Sequence, residues 1–103
     1  MINIDGTGNR IAGSLFGHIK VYFLIGTNKI ESSLEKSIFR ARNIAAPMNA
    51  KRLKLKTPCA IDGDKCYNCS SADRICNALT IYYKKMRNVK DVEIILIDEE
   101  LGF

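Results

Sequence analysis

The chain predicts an α/β fold, a partial parallel sheet with flanking helices and an antiparallel pair at one edge. Three observations carry this expectation. Val21-Tyr22-Phe23-Leu24-Ile25 is an unbroken, β-rich apolar run closed by Gly26, the pattern of a strand covered on both faces in a parallel sheet. Leu34, Ile38, Ala41 and Ala45 recur at helical spacing and form one apolar stripe. Strand-like and helix-like segments alternate along the chain, which is the layout of an α/β domain.

Taken in order, Ile2 to Ile4 reads as a short strand and Asp5-Gly6-Thr7-Gly8-Asn9-Arg10 as a Gly-rich turn. Ile11 to Phe16 reads as a short helix stopped by Gly17. After the Val21 to Ile25 strand, Ser32 and Glu35 have capping-box spacing at the start of the main helix. Pro47 is expected to end that helix and to open a second short one through Leu53. A cysteine-bearing loop follows. Leu79, Ile81 and Tyr83 alternate with Thr80 and Tyr82, as in a strand, and Val92 to Ile97 forms the last strand. The short polar link between these two strands predicts that they pair antiparallel with each other at the sheet edge.

At 103 residues the chain is one domain or part of one. With 47% apolar and 26% charged residues it has an ordinary globular composition. No apolar run approaches the length of a membrane helix, and the start has no basic n-region of a signal peptide; a cytoplasmic location is expected. The net charge is +5, with cations concentrated at Lys51, Arg52, Lys54 and Lys56 and again at Lys84, Lys85, Arg87 and Lys90. Such patches hold phosphorylated ligands or nucleic acid, or are simply solvated. No aromatic residues interleave with the first cluster, so a base-stacking platform is not indicated.

The Gly-rich turn is the leading candidate for ligand contact. Gly6 and Gly8 allow the backbone to approach an anion, with the N–H groups of the following helix behind them. Arg10 can clamp a carboxylate or phosphate, and Asn9 can bond a hydroxyl or carbonyl. Asn28 and Lys29 follow a buried strand, where ligands sit in open α/β sheets. No nucleophile elbow is present, His18 lies in a turn without a neighbouring carboxylate, and Asp98, Glu99 and Glu100 read as a solvated strand end.

Cys59, Cys66, Cys69 and Cys76 fall within eighteen residues, the inner pair as Cys-x-x-Cys. Thiols this close suggest a Zn or iron–sulfur site. The spacing matches no standard zinc-ribbon or ferredoxin pattern. Reduced structural thiols and disulfide or redox chemistry remain open beside a bound metal.

Several of these segments together resemble a known family. They are Asp5 to Arg10, Gly26-Thr27-Asn28-Lys29-Ile30, Arg42 to Arg52, Thr57-Pro58-Cys59, Cys66-x-x-Cys69-Ser70-Ser71, Arg74-Ile75-Cys76-Asn77 and the ending Asp98 to Phe103. In order and spacing they resemble the C-terminal half of an LUD domain, the lactate-utilisation family, in its cysteine-bearing branch. The resemblance covers essentially the whole chain. It implies part of a fold similar to the glucosamine-6-phosphate deaminase, ribose-phosphate isomerase and CoA-transferase group, with an N-terminal half absent from residues 1–103. It also implies a link to lactate oxidation beside iron–sulfur and oxidoreductase subunits. The function expected is binding of a small anionic metabolite or docking to redox partners, with an isomerase- or CoA-transferase-like enzyme as the alternative. The partner expected is a second copy or a separate N-terminal fragment.

Overall fold

The computed structural model describes Met1 to Phe103. Its elements run β1 (Ile2–Asp5), α1 (Asn9–Leu15), β2 (Lys20–Gly26), α2 (Leu34–Arg40), α3 (Ala46–Arg52), α4 (Pro58–Asp62), β3 (Ala78–Ile81) and β4 (Asp91–Ile97). A 3-10 turn at Thr27–Lys29 follows β2, and a π turn at Ala41–Ala45 joins α2 to α3. No helix is long and apolar enough to cross a membrane.

The α/β class is as expected, with a parallel pair, an antiparallel pair and helices beside them. The pairing of strands differs from the sequence reading. β3 does not pair with β4. It runs antiparallel to β1, with Ile2 opposite Ile81 and Asp5 opposite Ala78. β4 runs parallel to β2, from Lys20 opposite Asp91 to Gly26 opposite Ile97. The short link between β3 and β4 crosses from one pair to the other instead of forming a hairpin, and Tyr83 lies beyond the end of β3.

β2 is also less covered than its composition suggested. Its burial alternates, and Tyr22 and Leu24 are 53% and 65% exposed. An unbroken apolar run signals two buried faces only when both faces have neighbours, and here one face has none. The buried apolar core is small and consists of Ile11, Ala50, Ala60 and Val89.

The main helix departs from expectation at both ends. Ser33, not Ser32, caps α2: its Oγ accepts a hydrogen bond from the Lys36 N–H at 3.2 Å. Ser32 Oγ accepts from Lys36 Nζ instead. Pro47 does not stop the helix. A proline in an α-helix cannot bond back to the carbonyl four residues earlier, and its ring crowds that carbonyl. The wider π turn immediately before it relieves the conflict: the Ala46 N–H donates to the Ala41 carbonyl, five residues back. Pro47 then sits in the first turn of α3 and is buried.

Asn43, within the π turn, carries two further duties. Its Nδ2 donates to the Phe39 carbonyl at 3.2 Å, four residues back. Its Oδ1 accepts from the Cys66 N–H, also at 3.2 Å, tying the helix to the cysteine loop. Asn43→Ala is expected to lower stability by about 1–2 kcal/mol. It should also speed amide exchange at Cys66 without affecting β2, read by urea denaturation and hydrogen-exchange mass spectrometry.

Candidate functional site

Asp5 ends β1 and is 2% exposed. Its Oδ1 accepts from the Thr7 N–H at 3.2 Å, and its Oδ2 from the Arg10 and Ile11 N–H groups at 3.1 and 3.3 Å. The Arg10 guanidinium stands 3.6 Å away. The donors at the start of α1, expected to face a bound anion, are therefore occupied by a carboxylate of the chain itself. Burial works against ionisation of Asp5. The hydrogen bonds from the Thr7, Ile11 and Gly8 backbone and the nearby Arg10 charge outweigh it and hold the pKa down to about 2, against the ordinary 3.8.

The turn that Asp5 holds is pressed against the cysteine loop. A Cβ on Gly6 would lie 3.0 Å from the Ile75 carbonyl oxygen, so glycine permits this close approach. Asn77 seals the contact. Its N–H donates to the Asp5 carbonyl at 3.1 Å, and its Nδ2 donates to the Gly6 carbonyl at 2.9 Å.

Beside this turn lies a cleft of about 820 Å³. Its walls are β1, Phe23 and Ile25 of β2, one face of the α2–α3 helix, Ile75, and Gly102 with Phe103. Gly6, Arg10 and Lys29 border it, so the two loops reach one cleft. Gly8, Asn9 and Asn28 do not line it. Gly8 takes a left-handed conformation (φ 84°) before α1. Asn9 Oδ1 accepts from Thr7 Oγ1 at 2.6 Å. Asn28 secures the C-terminal segment: its Oδ1 accepts from the Leu101 N–H at 3.3 Å and its Nδ2 donates to the Gly102 carbonyl at 3.2 Å.

Two cleft arginines come from the helix and were not singled out by the motif reading. Arg40 and Arg52 are twelve positions apart. On an unbroken α-helix they would diverge by about 120°. The π turn between them acts as a one-residue insertion and brings the offset to about 20°. Both therefore face the cleft, along with Ser37, Ala41, Ala45 and Asn49. Arg52 donates through Nε and Nη2 to Asn49 Oδ1 at 3.0 and 2.7 Å, which fixes the plane of its guanidinium. Arg40 makes a long ion pair with Glu31 at 3.8 Å. The cleft side chains thus include four cations, Arg10, Lys29, Arg40 and Arg52, and one carboxylate, Asp5. Pro47 was the available sequence signal for the phase change, because it cannot sit in mid-helix without one.

The four cysteines are free, half-buried thiols. Cys59 Sγ lies 3.3 Å from Thr57 Oγ1, and Cys66 Sγ accepts from the Asn68 N–H at 3.3 Å. No three of the chain's His, Cys, Asp and Glu side chains gather as a metal-ligand set. Arg74 shapes the loop. It donates to the Cys69 carbonyl at 2.6 Å, to the Cys76 carbonyl at 3.2 Å and to Asn68 Oδ1 at 3.3 Å. Asp64 and Tyr67 make a second contact, with the Tyr67 hydroxyl 2.8 Å from both carboxylate oxygens. That bond to the carboxylate raises the Tyr67 pKa to about 12.

A family model, the LUD domain, matches residues 1–97. The chain belongs to the LUD domain family. No curated protein and no solved structure matches it. The Asp5 turn, the Lys29 loop, the π turn and the Arg74 loop all lie within the matched span, so the cleft is a feature of this LUD domain apart from its rim at Gly102 and Phe103.

Two predictions follow from the bonds around Asp5 and Arg74. Because the Asp5 pKa is lower folded than unfolded, its contribution is full above about pH 4. It fades as the pH falls from there toward 2. Asp5→Asn should therefore melt at a lower temperature than the native chain at pH 7, and the gap should narrow as the pH falls toward 2, measured by circular dichroism melts. Arg74→Ala, in protein purified with a chelator, should raise amide exchange across residues 66–77 while leaving β2 protected, by hydrogen-exchange mass spectrometry.

Proposed function

We propose that this LUD domain binds a small anionic metabolite in the cleft between the Asp5 turn, the Lys29 loop and the α2–α3 helix. Family membership suggests a role related to lactate utilisation. The observation that carries the reading is the side-chain charge of the cleft: four cationic side chains face it, and its one side-chain carboxylate is already saturated by backbone donors and Arg10. Lys29 has no ion-pair partner in the chain, and Arg52 is bonded only to a neutral amide. Cations gathered on low-dielectric walls raise the local concentration of anions. Ile2, Ile4, Phe23 and Ile25 supply those walls.

In this reading Arg52, held flat by Asn49, offers a planar fork to a carboxylate or phosphate. Lys29 supplies a point charge from the end of β2. Arg10 has its backbone N–H fixed on Asp5 while its side chain is 68% exposed and reaches the cleft. Gly6 keeps the floor of the turn open.

Differential scanning fluorimetry and calorimetry with L-lactate, phosphate and citrate test the reading. A ligand present at ten times its Kd should stabilise the fold by about 1.4 kcal/mol. Lys29→Gln and Arg52→Gln should each weaken binding about tenfold or more, the loss expected for a hydrogen bond to a charged group, and added salt should weaken it further. If no anion in the panel shifts the melt at 10 mM, or if both variants bind as the native chain does, the cleft is not an anion site.

A further inference from the structure

The molecule exposes more surface than a chain of its mass needs to. A folded monomer of 11.5 kDa is expected to expose about 5,800 Å², and this chain exposes 7292 Å². Its radius of gyration is 14.4 Å, against about 12.8 Å for a chain of this length. The excess is about 1,500 Å², more than the roughly 800 Å² that each partner contributes to a standard interface. The surplus is apolar around the β2–β4 pair: Leu24, Ile94 and Leu96 are 65%, 52% and 56% exposed. β4 pairs only with β2, which leaves its outer edge free. A free apolar edge is a template for another strand.

Charge along β4 indicates which strand. Lys84, Lys85, Arg87 and Lys90 precede it, and Asp98, Glu99 and Glu100 follow it. The two acids at the start of the strand itself, Asp91 and Glu93, are both engaged by Lys20 of β2, at 3.1 and 3.2 Å. From Ile94 to Ile97 the strand is purely apolar. It is thus a largely apolar strand, its two acids sharing one lysine, with a basic segment before it and an acidic one after it.

We propose that β4 pairs antiparallel with β4 of a second copy of this chain, about a two-fold axis at Ile94, making one four-stranded sheet. In that register Val92 faces Leu96, and Lys90 of each copy faces Asp98 of the other. The arrangement is self-complementary, as a two-fold interface must be: each basic end meets an acidic end, twice over. A parallel pairing of the two edges would instead set like charges side by side. The opposed ends also offset the repulsion between two chains of net charge +5. This interface does not depend on the cleft, which lies on other elements apart from Phe23 and Ile25 of β2.

Sedimentation velocity of the full chain from 5 to 100 µM tests the proposal, with circular dichroism confirming that each variant is folded. The native chain should sediment at twice its 11.5 kDa mass. Lys90→Glu or Asp98→Lys alone should weaken the dimer about tenfold, since each places two like-charge pairs across the seam. The double variant, with both charges exchanged, should restore the native affinity. Ile94→Lys, which sets two ammonium groups face to face on the axis, should yield a folded monomer. A native chain that stays monomeric at 100 µM overturns the proposal. So does a dimer indifferent to Ile94→Lys and to the single charge reversals, or one that the double variant fails to restore.

Discussion

A carboxylate removed from water is unfavourable unless donors surround it, and Asp5 is surrounded. Three backbone N–H groups and the Arg10 guanidinium converge on it. Through them Asp5 sets the shape of the Gly-rich turn and anchors the first turn of α1. Its own carbonyl takes the Asn77 N–H, so β1, α1 and the end of the cysteine loop meet at one residue. The cleft lies against this junction, and the positions of Gly6 and Arg10 depend on it. A helix of seven residues has little stability of its own; docking its first turn on a buried anion compensates.

The second determinant is the π turn. Pro47 makes a regular helix through residues 41–45 unfavourable, and the extra residue that accommodates it rotates α3 relative to α2. One local steric conflict thus sets which side chains face the cleft. Asn43 serves the same turn and reaches Cys66 as well, so the helix, the cysteine loop and the Asp5 turn form one hydrogen-bonded network. Arg74 completes it by linking two cysteine carbonyls and Asn68. Hydrogen bonds hold this part of the molecule together, in keeping with a core in which only Val89 and Ala50 are almost wholly removed from solvent among the apolar residues.

The β2–β4 pair behaves differently. It has side-chain area to bury and little of the chain placed over it. Lys20 bridges the two acids at the start of β4 and offsets part of their charge. Gly26 ends β2 where a Cβ would come within 2.7 Å of the Glu99 carbonyl oxygen, so the segment after β4 can cross close to the strand. Asn28 then fastens that segment, which brings Gly102 and Phe103 to the rim of the cleft. An asparagine that reads in sequence as a ligand contact is used here to bind two parts of the same chain.

The sequence alone determined most of the strands and helices, because apolar periodicity and the breaks at Gly17 and Gly26 are local properties of a few neighbouring residues; it missed α4, which lies inside the segment read as a loop, and ran β3 on through Tyr83. It also pointed to Gly6, Arg10 and Lys29 as neighbours, since both loops follow strands, and all three border one cleft. It did not determine strand partners. β3 joins β1 across more than seventy residues and not β4 across ten, and no local pattern encodes that choice. Nor did it show that the donors at α1 were already occupied, that Arg40 and Arg52 share a face, or that one face of β2 is bare. Each of these depends on which groups meet in space. A hydrogen-bond donor is available to a ligand only when nothing else in the fold has taken it, and only the tertiary structure decides that.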